Sequence, residues 1–213
     1  MLFPCNSNLQ WSRCVGSLVA ARIALILSGN RMKTGQRLLG LTVVIALLST
    51  LEKEASAQIN REAELKGKMV GILGSLVTWP PNAAPSAAKP LTIGVLGNNP
   101  FVDGGGVDYL QQKLAGTNSL VLKFADVNAY KDCHILVVAG NADLKQALEK
   151  TAGKPVLVVS EAAGLAKQGA AINLVFDMVS NKIRLEINPA TARNAGVQIN
   201  QGLLRSPLVD IVN

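Results

Sequence analysis

Apolar residues along this chain fall into short runs whose spacing changes character several times. In "INREAELKGKMVGILGSLVTWPP", which starts at Ile59, the positions Leu65, Met69, Ile72, Leu73, Leu76 and Val77 recur at helical spacing and predict a helix with one buried face. The two prolines after Trp79 end it. "PLTIGVLG" (90–97) is a near-continuous apolar run and predicts a buried strand. After "FVDGGG" a helix is expected at about 107–115, closed by Gly116. "LVLKFA" and "CHILVVAG" predict the second and third strands. "NADLKQALEKTAG" predicts a helix capped by Asn141 or Asp143 and stopped at Gly153. "PVLVVSE" is a fourth strand, apolar enough to be covered on both faces.

This strand–helix alternation implies right-handed crossovers and a mainly parallel sheet. The pattern then changes. "AAINLVFDMVSNKIRLEIN" reads as a β-hairpin that turns near Asn181 and is appended to the sheet. "NPATARNAG" predicts a helix with Asn188 as its cap, Pro189 at its first position and Gly196 as its stop. "VQI" predicts a short strand, and "NQGLLRSPLVDIV" a closing helix. No internal repeat or low-complexity segment interrupts the series. The expected architecture is one α/β domain, a layered and mainly parallel sheet with an appended hairpin and helices on both faces.

Charge changes the picture little once it is located. The net +7 divides unevenly: residues 1–57 hold six Lys/Arg against two Asp/Glu, and residues 58–213 hold fifteen against twelve. The second region has neither a Lys/Arg cluster nor aromatics interleaved with basic residues, so nucleic-acid binding is not expected. Only 4% of the residues are aromatic, which leaves Val, Leu, Ile and Ala to build the core.

The N-terminal region reads as a targeting signal. From Met32, Lys33 and Arg37 form a short basic region, Leu38 to Leu51 an apolar one, and "ASA" places small residues before Gln58. That is the layout of a cleaved secretory signal with cleavage between Ala57 and Gln58. The apolar run falls short of the ~20 residues a membrane-spanning helix needs. No cysteine follows it, so a lipid anchor is not indicated. Residues 1–31 read as a start-site extension, 32–57 as the signal peptide and 58–213 as the mature domain. Export would leave Cys133 as that domain's only cysteine.

Candidate chemistry is sparse. Cys133 stands next to His134, the only histidine, but adjacent strand residues point to opposite faces and would not meet. One Cys and one His are too few for a typical zinc site. Gly104, Gly105 and Gly106, between a strand and a helix, could let backbone amides cradle an anion. The surrounding "GVLGNNPFVDGGG" matches neither a dinucleotide fingerprint nor a Walker loop. Arg184 and Glu186 share one face of a hairpin strand and could form a surface ion pair. No catalytic residues, metal ligands or cofactor are expected.

The order of motifs resembles one family. The helix ending in "TWP", then "LTIGVLGNNPF", "CHILVV", "KPVLVVSE", "AAINLV", "KIRLEIN", "ARNAGVQI" and "GLLR" are similar to the YfiR family of bacterial periplasmic proteins, from about Leu65 to Val212. The resemblance implies an α/β domain of Rossmann-like layering, often dimeric. It implies a regulatory binding protein, not an enzyme, which restrains an inner-membrane diguanylate cyclase, lowers cyclic-di-GMP and limits biofilm. Relief would come through an outer-membrane lipoprotein. The alternative is a small-ligand sensor linked to a membrane sensor kinase, using the glycine loop. Some relatives carry a cysteine where Gly94 stands, able to bridge to the one corresponding to Cys133. Here that partner is missing, so no disulfide is expected. Trp79, Leu203, Leu204 and Val209 are the candidate partner contacts, because interface cores favour large apolar side chains; packing in the domain's own core is the competing reading for each.

Overall fold

Five consecutive β-strands run in one direction, as the βα alternation requires. The computed structural model describes residues 57–162 and 164–212. Strands β2 (Leu91–Leu96), β3 (Ser119–Phe124), β4 (Ile135–Val138), β5 (Leu157–Ser160) and β6 (Ile172–Asp177) are parallel. Strands β7 (Lys182–Ile187) and β9 (Val209–Ile211) complete a seven-stranded sheet of order β3-β2-β4-β5-β6-β7-β9. Its parallel part has the 2-1-3-4-5 order of doubly wound folds. The first crossover leaves β2 in one direction and the later ones run in the other. Right-handed connections therefore place their segments on opposite faces.

The packing follows that rule. Helix α2 (Tyr109–Leu114) buries Leu110 and Leu114 on the face formed by Ile93, Ile135, Val137, Leu157 and Val159. Helix α3 (Leu144–Thr151) buries Leu144 and Ala147 on the other face, against Leu136, Val138 and Val158. All four residues of β4 and of β5 are buried, as expected for strands covered on both sides. Asp143 caps α3 by accepting from the Gln146 amide at 3.1 Å. Asp108 caps α2 in the same way, so that helix begins at Tyr109 and not near residue 107.

Strand β7 reverses direction against β6 through a turn in which Asn181 takes a φ of 52°, a conformation asparagine tolerates better than most residues. Asn188 then caps α4 (Pro189–Asn194), accepting from the Thr191 amide. A separate two-stranded antiparallel sheet pairs β1 (Val77–Thr78) with β8 (Gln198–Ile199).

Two expected helices are shorter than their apolar spacing implies. The closing segment makes only the four-residue α5 (Gln201–Leu204). Pro207 disfavours helix in the residue before it, and Val209–Ile211 add to the open edge of β7. There the Leu185 amide donates to the Leu208 carbonyl and the Val212 amide to the Ile187 carbonyl. The first helix, α1 (57–73), stops before Leu76 and Val77. A Cβ on Gly74 would stand 2.3 Å from Leu91 Cδ2, so glycine brings the chain close to β2 as the helix ends.

Helix α1 also buries a different face from the one its apolar spacing predicts. Ala63, Lys66, Gly67, Val70 and Leu73 turn inward, Leu65 and Met69 are half-buried, and Ile72 is exposed. Glycine is the cause. A Cβ at Gly67 would meet the Leu110 amide nitrogen at 2.8 Å and Tyr109 Cβ at 2.9 Å, and one at Gly71 would meet Lys113 Cγ at 2.6 Å. These positions let α1 lie almost against the α2 backbone. Gly67→Ala is expected to destabilise the domain by about 1–3 kcal/mol, despite alanine's better helix propensity, because backbone atoms cannot give way. Gly104→Ala, whose nearest neighbour lies 4.0 Å away, should stay within about 0.5 kcal/mol of wild type. Paired urea denaturation curves make the comparison.

Candidate functional site

Cys133 and His134 lie just ahead of β4 and diverge to opposite faces of the sheet. The Thr92 amide donates to His134 Nδ1 at 2.9 Å, which leaves the proton of the neutral ring on Nε2. Burial, and the positive charge of Lys89, lower the pKa of His134 and favour that neutral form. The ring meets Trp79 edge-on at 5.8 Å. Cys133 faces the other cluster, with Phe124 and Leu136. It is a free thiol that burial pushes up to about 11. A Cβ at Gly94 would lie 3.1 Å from its sulfur. Gly94 thus faces the Cys133 thiol directly. Among the described residues no group of three or more His, Cys, Asp or Glu is placed to hold a metal ion.

The glycine loop is closed by its own carboxylate. Asp103 Oδ1 accepts from the amides of Gly105 and Val107, both at 2.9 Å, and Oδ2 accepts from the Tyr109 hydroxyl at 2.8 Å. The Gly106 amide donates to the Asp103 carbonyl, and the Gly104 amide to Asn60 Oδ1 at 3.3 Å. All three amides that would form an anion cradle are already engaged.

The polar residues that the structure brings together lie elsewhere, in a row across the carboxyl half of the sheet. Ser160, Asn173 and Glu186 are register partners on β5, β6 and β7. The Ser160 hydroxyl donates to Asn173 Oδ1 at 2.9 Å, and Asn173 Nδ2 donates to Glu186 Oε2 at 2.7 Å. The Gly164 amide also donates to that carboxylate, at 3.3 Å. Ser160 and Asn173 are wholly buried.

One residue beyond Ser160, Glu161 accepts from the Gly140 amide at 2.9 Å and from Lys66 of α1 at 2.8 Å. Lys66 also reaches Glu62 at 2.7 Å. Burial lowers the pKa of this lysine, but the two carboxylates more than offset that and hold it above its usual value. The available signal in the sequence was a buried-type strand interrupted by Ser or Asn. Spacing within one strand does not show that the interruptions line up.

Arg184 and Glu186 do not pair with each other. Arg184 makes a bidentate contact with Asp210 of β9 at 2.8–3.1 Å, exposed to solvent, while Glu186 turns to Asn173. The candidate contact residues divide as well. Trp79 belongs to the main core, and Leu203, Leu204 and Val209 are partly buried against it. The large apolar side chains that reach solvent include Ile59, Ile72, Leu120, Met178 and Val179. Ala57 and Gln58 stand at the start of α1. The signal peptide expected before them, and the start-site extension expected over residues 1–31, lie outside the described residues. No helix among the described residues is long and apolar enough to cross a membrane.

Replacing Asn173 by Leu would strand the Ser160 hydroxyl and remove the strongest donor to Glu186. The expected loss of stability is about 2–4 kcal/mol, against about 1 kcal/mol for Ser160→Ala, both read from urea denaturation. At pH 8 the folded protein should resist alkylation by iodoacetamide, because the thiolate is the nucleophile and Cys133 is almost wholly protonated there. Denaturation should release one reactive thiol from a protein comprising residues 58–213, counted by mass spectrometry.

The strings "VVSE", "AAINLV" and "KIRLEIN", which carry much of the family resemblance, thus supply one rung each to a buried polar row. A family profile for DUF4154, described as YfiR/HmsC-like, matches residues 63–206. Among curated proteins, none matches the chain. The profile spans most of α1, the sheet through β8, and α5, and on that extent the chain belongs to the YfiR/HmsC-like family.

Proposed function

We propose that this protein is a periplasmic regulator that binds a membrane signalling protein, a diguanylate cyclase, and holds it inactive. The observation that carries the reading is the family match over 63–206. The secretory layout of residues 32–57 supports the compartment, since a cleaved signal would deliver the domain to the periplasm. Restraint of this kind needs a stable surface and no chemistry of its own. That requirement suits a domain whose polar side chains in the sheet are turned to one another. An outer-membrane lipoprotein that competes for the same surface would relieve the restraint, and pairing of two copies would present that surface twice.

Deleting the gene in its native host is expected to raise cyclic-di-GMP and biofilm. Complementation with residues 32–213 should restore both, whereas a copy lacking 32–57 should not, because it never meets the periplasmic part of its target. Unchanged cyclic-di-GMP on deletion would sink the cyclase assignment. Retained function without the signal region would sink the compartment.

A further inference from the structure

The face of α1 that its apolar spacing marks for burial is only partly covered. Leu65 and Met69 pack on the main core along one flank, and Ile72 is 38% exposed. With Ile183 and Leu208 they floor a groove of about 350 Å³ between α1 and the start of β7. Arg61, Lys68, Lys113 and Lys182 stand around that floor, and no carboxylate lines it. Glu64, outside the groove, holds Arg61 at 3.1 Å and also contacts Lys68. Lys113 and Lys182 have no carboxylate partner among the described residues. The adjoining hairpin tip carries Met178 and Val179, 66% and 95% exposed, where turns ordinarily carry polar residues.

An apolar floor ringed by cations selects its occupant by charge. It attracts a ridge of apolar side chains flanked by carboxylates and repels a basic one. Its concavity suits such a ridge better than a flat lipid surface. We propose that this groove seats an acidic amphipathic segment of the membrane partner, docked as an amphipathic helix docks in an apolar groove. The assignment rests on the regulatory reading above and names the part of the partner that the domain would hold.

The test uses a fluorescent acidic peptide with leucines at helical spacing and flanking glutamates, and its counterpart with lysines, added to the whole exported domain. The acidic peptide should bind saturably, more weakly as salt rises, and the lysine peptide should not. Lys113→Glu combined with Lys182→Glu, both at exposed positions, should cost the acidic peptide about tenfold or more in affinity. Circular dichroism and melting verify the fold, and the paired Gln substitutions serve if the reversed charges disturb it. Equal binding of both peptides, no saturable binding, or an unaffected variant overturns the proposal. So does binding to phosphatidylglycerol vesicles in place of the peptide. If deletion leaves cyclic-di-GMP unchanged while the peptides behave as expected, the cyclase assignment fails and the groove stands. If deletion raises cyclic-di-GMP but the variant loses neither peptide affinity nor restraint, the groove fails alone.

Discussion

The hydrogen-bonded row Ser160–Asn173–Glu186 is the constraint on which the rest of the sheet depends. It crosses the place where the sheet changes from parallel to antiparallel pairing. Strand β5 pairs with β6 over only two residues, and one of those pairs is Ser160 with Asn173. A slip of one residue would turn Asn173 into the apolar cluster opposite and deprive Glu186 of its side-chain donor. The row also settles a conflict further out. Glu186 and Asp210 are register partners, and like charges directly opposite are unfavourable. Asn173 takes one carboxylate and Arg184 the other, so β9 can close the edge.

Helix α1 is fastened to this sheet by two unlike means. Glycines 67, 71 and 74 remove the side chains that would hold it away from α2 and β2, and Lys66 reaches down to Glu161 at the carboxyl end of β5. A buried lysine flanked by small residues rotates the helix about its axis. The inward face therefore holds Lys66 and Gly67 beside Ala63, Val70 and Leu73, while Leu65, Met69 and Ile72 line the groove. The same rotation that makes close packing possible leaves apolar side chains of α1 at the surface.

The parallel strands, the hairpin and the caps at Asp143 and Asn188 were legible because each is a local rule acting over a few residues. For Trp79 the sequence left core packing and a partner contact both open, and the fold decided for the core by setting its ring against His134. The glycine loop was read for amides open to a ligand. The fold instead turns the Asp103 carboxylate into that space, because three of its neighbours supply donors within hydrogen-bond reach. Cys133 and His134 part as strand alternation predicts, and Gly94 faces the thiol as the family resemblance implies.

The sequence by itself determined the α/β class, the direction of the crossovers, the hairpin turn and the divergence of Cys133 and His134 in "KDCHILVVAG". These follow from periodicity and from single residues with restricted backbones. Only the tertiary structure decided which polar residues meet, which face of α1 is buried and where Val209–Ile211 pair. Those outcomes depend on contacts between segments far apart in the chain, such as Lys66 with Glu161 or Asn173 with Glu186. No local pattern encodes a partner that another strand supplies. A helix that carries glycine, lysine and leucine at helical spacing can be turned either way until its neighbour is in place.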